Sequence, residues 1–176
     1  PLVTGGTGVR SDAPLHPAGW PLHFEAGTPN GPGIAGLAAG LEHVRRSGGV
    51  EEMGRARRRL AERLAARLEA IPGVRAHLPR SGDLTAGVLS FELDGWSPAE
   101  AAQILRGCYG VETRAGLHCA PLLARELGCP EGTVRASLGW SSTEWEVDAL
   151  AEALEEIAGA DGGRGAERGT GRAGAA

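Results

Sequence analysis

Lysine is missing from all 176 residues: the 18 basic side chains are every one arginine. With no side-chain amine, the chain by itself cannot perform lysine covalent catalysis or anchor an aldehyde-bearing group through an ε-nitrogen. A GC-rich coding bias, which also favours Ala and Gly, accounts for the arginines without functional pressure. No run approaches the roughly 18 apolar residues of a membrane span, and no charged-then-apolar leader opens the sequence. No membrane partner is expected, and a cytoplasmic protein fits. Cysteine is scarce too: Cys108, Cys119 and Cys129 are odd in number and form no C-x-x-C pair. That argues against a disulfide framework or a cysteine-rich zinc site, and no metal ligand set is expected. Positive charge is not in excess either, since 22 acidic residues against 18 basic ones leave a net charge of −4. A generic nucleic-acid partner is therefore not expected.

The length supports one real core. Residues 159–176 are mostly Gly, Ala and Arg with almost no large apolar side chain, so they are expected to form a disordered tail. The opening, residues 1–32, is rich in Gly and Pro but holds Leu2, Val3, Leu15, Trp20, Leu22 and Phe24, which reads as a loop with apolar anchors. It begins at Pro1 without methionine, as expected of a chain whose front is missing.

A helix is predicted from Ile34 to Arg46 on the spacing of Ile34, Leu37, Leu41 and Val44, ended by Gly48-Gly49. A second, Val50 to Ile71, carries the stripe Met53, Leu60, Leu64, Leu68 and Ile71. Its arginines Arg55, Arg57, Arg58, Arg59 and Arg63 then form a solvated face, and no aromatic interleaves them as a nucleic-acid patch would require. Strands are predicted at Val74–Leu78, Gly87–Leu93, Gly110–Arg114 and Thr133–Leu138. Helices follow Ser97 to about Cys108, Pro121–Leu127, and from the Thr143/Glu146 capping box through Val147, Leu150, Ala151, Leu154 and Ile157. The order αα-ββ-α-β-α-β-α predicts an α+β domain with helices on one face of a largely antiparallel sheet.

Three segments are unusual as connectors. Thr4-Gly5-Gly6-Thr7-Gly8, with Phe24-Glu25-Ala26-Gly27-Thr28-Pro29-Asn30 just ahead of a helix, combines hydroxyls and free backbone amides. Such a surface suits a phosphate, although Gly-rich loops are commonly plain turns. Arg114-Ala115-Gly116-Leu117-His118-Cys119-Ala120-Pro121 sets a cysteine beside a histidine before a helix start, where a thiolate can be stabilised. The alternative is that Cys119 is a small buried hydrophobe and His118 a satisfied core histidine. Cys108, on an apolar helix end, and Cys129, in a loop, call for no more than core and loop roles. In Gly132-Thr133-Val134-Arg135-Ala136-Ser137-Leu138-Gly139, alternation turns Arg135 to the face opposite Val134, Ala136 and Leu138, to meet solvent or to clamp a carboxylate.

In order and spacing these motifs, together with Gly33-Ile34-Ala35-Gly36-Leu37, resemble the C-terminal portion of class V aminotransferases of the cysteine desulfurase type. The likeness runs from Pro1 to about Ala158. It implies the end of the pyridoxal phosphate (PLP) binding large domain of a fold-type I enzyme over residues 1–49, and the small C-terminal domain over residues 50–158. By the same likeness Thr28 reaches the PLP phosphate of the partner subunit, which implies a homodimer. Cys119 holds substrate sulfur as a persulfide, Arg135 binds the substrate carboxylate, and Arg114 and His118 line the approach. The implied activity is removal of sulfur from L-cysteine to leave alanine, with a sulfur-acceptor protein as a further partner. Leu117, where close relatives often have a second histidine, and Trp140-Ser141-Ser142 depart from the pattern and leave the amino-acid substrate open. The PLP lysine falls outside this chain, which alone is expected to be catalytically silent. The rival readings are an orphan domain for dimerisation or partner binding, and a PLP-dependent lyase or epimerase.

Overall fold

The computed structural model describes residues 5, 6, 8, 10–79, 81–84 and 86–160, which fall into two compact units divided after Gly49. The expected anchors Leu2 and Val3, the hydroxyls of Thr4 and Thr7, and residues 161–176 of the expected tail lie outside the described residues.

The first unit holds a 3-10 turn at Leu22–Phe24 and helix α1, Gly31–Arg46. Asn30 caps α1, its Oδ1 accepting from the Gly33 amide at 3.0 Å, and Pro32 sits in the first turn where a missing N–H costs nothing. None of the unit's described residues is buried. Of the expected anchors Leu22 is half-buried, while Leu15 and Trp20 are about four-fifths exposed, Trp20 meeting the edge of Phe24 at 4.9 Å between ring centroids, so the loop is poorly packed. The α1 stripe is likewise 62–64% exposed at Ile34, Leu37 and Leu41. So few large apolar residues cannot close a core by themselves.

The second unit has such a core. Strands β1 (Val74–His77), β2 (Val88–Leu93), β3 (Arg114–Gly116) and β4 (Thr133–Ser137) form one antiparallel sheet in the order β1-β2-β4-β3. Alternation along β2 puts Leu89, Phe91 and Leu93 on the inner face, where β4 adds Val134 and Ala136. Helices α2 (Gly49–Ala70), α3 (Pro98–Tyr109) and α5 (Glu144–Ala160) cover that face with Ala61, Leu64, Leu68, Ala101, Leu105, Val147, Leu150, Leu154 and Ile157. Capping boxes form at the starts of α3 and α5. The Ser97 amide donates to Glu100 at 2.9 Å and the Thr143 amide to Glu146 at 2.7 Å, so each glutamate satisfies a donor the helix leaves free.

The short helix α4, Pro121–Glu126, lies across the opposite face: Leu123 and Ala124 share a cleft with the outward residues Val88, Ser90, Thr133 and Arg135. The sheet is therefore covered mainly, not solely, on one side.

Three local expectations shift. The third strand begins at Arg114, because Gly110 closes α3 in the left-handed conformation (φ 67°) and pairing with β4 starts only at the Arg114–Arg135 rung. Gly159 and Ala160 belong to α5 and not to the tail. Cys108 is exposed, since the buried stripe of α3 is Ala101 and Leu105 and its final turn runs past the core, whereas Cys129 is 3% exposed and buried. The arginine face of α2 is paired as well as solvated. Arg63 grips Asp148 of α5 with two hydrogen bonds, at 2.9 and 2.7 Å, which hold that carboxyl below its ordinary range. Arg67 reaches Asp148 and Glu155, and Arg58 reaches Asp83. The acids of this unit meet much of the basic run.

Candidate functional site

The sequence-predicted residues fall into one group in each unit. In the first unit, the Gly27 amide donates to the Gly6 carbonyl at 2.7 Å, drawing the glycine turn against the segment before α1. Thr28, itself exposed, lines a cleft of about 430 Å³ with Gly5, Gly6, Gly8, Arg10 and His16. Both ring nitrogens of His16 are buried without a hydrogen-bond partner among the described residues. Sequence reasoning did not single out His16, which stands in a Pro-rich loop with no motif around it.

In the second unit the group gathers on the outer face of the sheet. Arg114 of β3 and Arg135 of β4 stand directly opposite each other in register. Like charges in such a pair repel, and neither guanidinium has a carboxylate partner among the described residues. The Nε of Arg135 is buried with no hydrogen-bond partner among the described residues. An anion placed between them removes the repulsion and gives the buried donor its acceptor.

The loop after β3 is built by close backbone approach. A Cβ at Gly132 would stand 2.2 Å from the Gly116 carbonyl, so only glycine lets the start of β4 lie against the end of β3. The chain then passes through His118 and Cys119 with φ of 54° and 59°. Two successive non-glycine residues in the left-handed region cost about 1–2 kcal/mol each, strain that persists only where neighbours impose it. The neighbour here is Thr133, whose carbonyl and Oγ1 lie 3.1 and 3.0 Å from His118 Nε2. A carbonyl only accepts, so Nε2 carries the proton and Nδ1 is left as a buried acceptor with no partner among the described residues. Burial, with Arg135 and Arg114 nearby, pushes the His118 pKa below its ordinary value and keeps the ring neutral, despite the opposing Thr133 bond.

Cys119, between His118 and Ala120 of a cleft of about 230 Å³, is exposed, and Arg114 Nη2 donates toward its Sγ at 3.7 Å. Of the two readings left open for this pair, the buried-hydrophobe one does not hold for Cys119. The fold thus brings Arg114, His118, Cys119 and Arg135 together: an exposed sulfur, a neutral imidazole and two uncompensated guanidinia. Thr28 belongs to the other unit and is described there by itself.

The family model described as Aminotransferase class-V matches residues 1–150. The chain belongs to that family. This class-V chain is 35% identical over 165 residues to a probable cysteine desulfurase of Methanothermobacter thermautotrophicus, covering 90% of its own length and 40% of the relative's. The apo cysteine desulfurase of Thermococcus onnurineus NA1 superposes with a TM-score of 0.71 at 36% identity, over 80% of this chain and 34% of that one. A structure of a C-DES mutant with glycine covalently linked to its PLP cofactor matches with a TM-score of 0.63 at 25% identity, over 82% of this chain and 34% of that one. The class-V chain therefore spans about two fifths or less of the length of these relatives, and its α+β unit corresponds to the C-terminal region of cysteine desulfurases. PLP is the cofactor of homologues in this family. The residues here suit only its phosphate end, at Thr28 and the glycine turn, since no lysine is present to take its aldehyde. No helix among the described residues is long and apolar enough to cross a membrane.

Proposed function

We propose that this chain supplies the sulfur-accepting and substrate-positioning residues of a cysteine desulfurase acting on L-cysteine. The observation that carries the reading is the facing pair Arg114 and Arg135, uncompensated by any carboxylate among the described residues and set beside an exposed cysteine on a strained turn. Bound PLP supplies the electron sink of such a reaction, and its lysine anchor comes from outside these 176 residues. Arg135 clamps the substrate carboxylate through its guanidinium fork, and Arg114 adds the second positive charge while donating toward Sγ of Cys119.

Cys119, as thiolate, attacks the sulfur of substrate L-cysteine. An S–S bond forms while the Cβ–S bond breaks. The bonding pair stays on carbon, which takes a proton and leaves as the methyl of alanine, and Cys119 remains as a persulfide. The two sulfurs are oxidised by the amount the carbon is reduced, so no external oxidant enters. An acceptor, a thiol or a dedicated protein, then collects the sulfur from an exposed position. Thr28 meets the PLP phosphate of a partner subunit, which makes the working form a homodimer.

Arg135→Lys tests the positioning role. A point-charge ammonium cannot reproduce the fork, so one charge-assisted hydrogen bond of about 1.5–3 kcal/mol is lost. In a full-length enzyme joining this chain to the lysine-bearing portion of a relative, KM for L-cysteine is expected to rise about tenfold or more. Unchanged kinetics would remove Arg135 from the site.

A further inference from the structure

The outer face of the sheet carries a second cluster, which shares only Cys129 with the lining of the His118–Arg135 cleft and to which the desulfurase reading gives no role. His77 ends β1 and Glu92 lies in β2, diagonal to it across the Arg75–Glu92 and His77–Ser90 rungs. His77 Nε2 and Glu92 Oε1 are 2.6 Å apart. Cys129, in the turn after α4, brings its sulfur over the same spot, so that one ligand atom from each of the three residues lies within 4.8 Å of the other two.

The cysteine is fixed by its backbone. Its amide donates to the Ala124 carbonyl at 2.9 Å and its own carbonyl accepts from Gly132 at 2.8 Å. With 3% exposure, its sulfur is held in place and not solvated. Glu92 is steadied by Arg75, which donates to the same Oε1 that His77 meets and leaves Oε2 without a partner among the described residues.

We propose that His77, Glu92 and Cys129 form a binding site for a divalent transition ion of the zinc class. One imidazole, one carboxylate and one thiolate are the mixed N/O/S set that a borderline-soft, tetrahedral ion takes, and that Mg²⁺ or Ca²⁺ does not. Bonds of about 2.0–2.3 Å in that geometry set the donor atoms about 3.3–3.6 Å apart. The imidazole and carboxylate must separate by somewhat less than 1 Å and the sulfur move in by up to about 1.3 Å, which are side-chain torsional adjustments. The ion replaces the His77–Glu92 hydrogen bond and the thiol proton of Cys129, which leaves to solvent and ends the 3.4 Å bond the thiol donates to the Ala124 carbonyl.

Glu92 and Cys129 also line a cleft of about 400 Å³, together with Asp94, Trp96 and Glu131. The fourth coordination position therefore opens on a polar cleft able to hold water or a small ligand. Spacing along the chain gave no hint of the set, because β1, β2 and the turn after α4 each contribute a single ligand.

The test uses the untagged 176-residue chain, without PLP or substrate, titrated with Co²⁺ and then displaced by Zn²⁺. The expected result is one equivalent of Co²⁺ with tetrahedral visible bands and a thiolate-to-cobalt charge-transfer band, all lost on adding Zn²⁺. Cys129→Ser is expected to abolish the charge-transfer band, while Cys108→Ser and Cys119→Ser retain it. His77→Ala and the near-isosteric Glu92→Gln are expected to weaken Zn²⁺ binding at least about tenfold, the low end of what even an outer-shell change costs. Glu92→Gln keeps the test decisive if Cys129→Ser does not fold. Absence of stoichiometric Co²⁺ binding by the folded chain would overturn the proposal, leaving the cluster a plain Arg–Glu–His ion pair. So would unchanged Zn²⁺ affinity in Glu92→Gln, or a charge-transfer band that depends on Cys108 or Cys119. None of these outcomes bears on the desulfurase reading, which uses other residues.

Discussion

Cys119→Ser is expected to lower L-cysteine-dependent alanine formation by about three orders of magnitude or more in an enzyme completed with a lysine-bearing, PLP-loaded portion, as the loss of a covalent nucleophile does elsewhere. Serine keeps the size of the side chain and the turn, but a hydroxyl does not attack sulfur. Backbone geometry makes the substitution informative: the turn at His118 and Cys119, φ 54° and 59°, is tied through His118 to Thr133, a contact the substitution does not touch. PLP binding is expected to be unchanged, since the reading gives Cys119 the substrate's sulfur and no part in holding the cofactor. Cys108→Ser and Cys129→Ser are expected to keep turnover, because neither cysteine is in the Arg114–Arg135 group. Alanine production and PLP absorbance, measured on the same preparations, separate a lost nucleophile from a lost cofactor.

Phe91→Ala is expected to remove about 3–5 kcal/mol of stability from the chain, a large share of the 5–15 kcal/mol typical of a domain. Phe91 is fully buried at the middle of β2, paired with Ala76 on one side and Val134 on the other. Its ring fills the space between the sheet and the helices, and a methyl leaves a cavity that the rigid β1-β2-β4 ladder closes poorly. Val88→Ala, on the outer face of the same strand and 44% exposed, is expected to cost under about 1 kcal/mol. Urea unfolding followed by circular dichroism distinguishes the two. Equal losses would contradict the assignment of one face to the core.

The contrast between these two positions explains what could be read from the sequence. Where one face is buried, period carries the information: Leu89, Phe91 and Leu93 alternate in β2, and Val147, Leu150, Leu154 and Ile157 recur in α5. Local chemistry carried the helix starts, because Ser97/Glu100 and Thr143/Glu146 act within four residues. The start of β3 was misplaced because a three-residue strand has no period, and its partner β4 fixes where pairing begins. Exposure of Leu15, Trp20 and the α1 stripe was illegible for a related reason, since an apolar residue reads the same with or without something to pack on.

The candidate site divides along the same line. Arg114, His118 and Cys119 share one short segment, and their company is visible in the sequence. That Arg114 faces Arg135, and that His118 Nε2 is claimed by Thr133, follow from the β3–β4 register. His77, Glu92 and Cys129 share no segment at all, and only strand pairing and the turn after α4 bring them together.

The central claim is that Cys119 accepts the substrate's sulfur. It is tested most directly by mass spectrometry of the Cys119 peptide from the completed, PLP-loaded enzyme after one turnover with L-cysteine in the absence of an acceptor. The account predicts a mass gain of one sulfur atom on that peptide, reversed by a thiol reductant, with the Cys108 and Cys129 peptides unmodified. Alanine formed in equal amount while Cys119 stays a free thiol would contradict it.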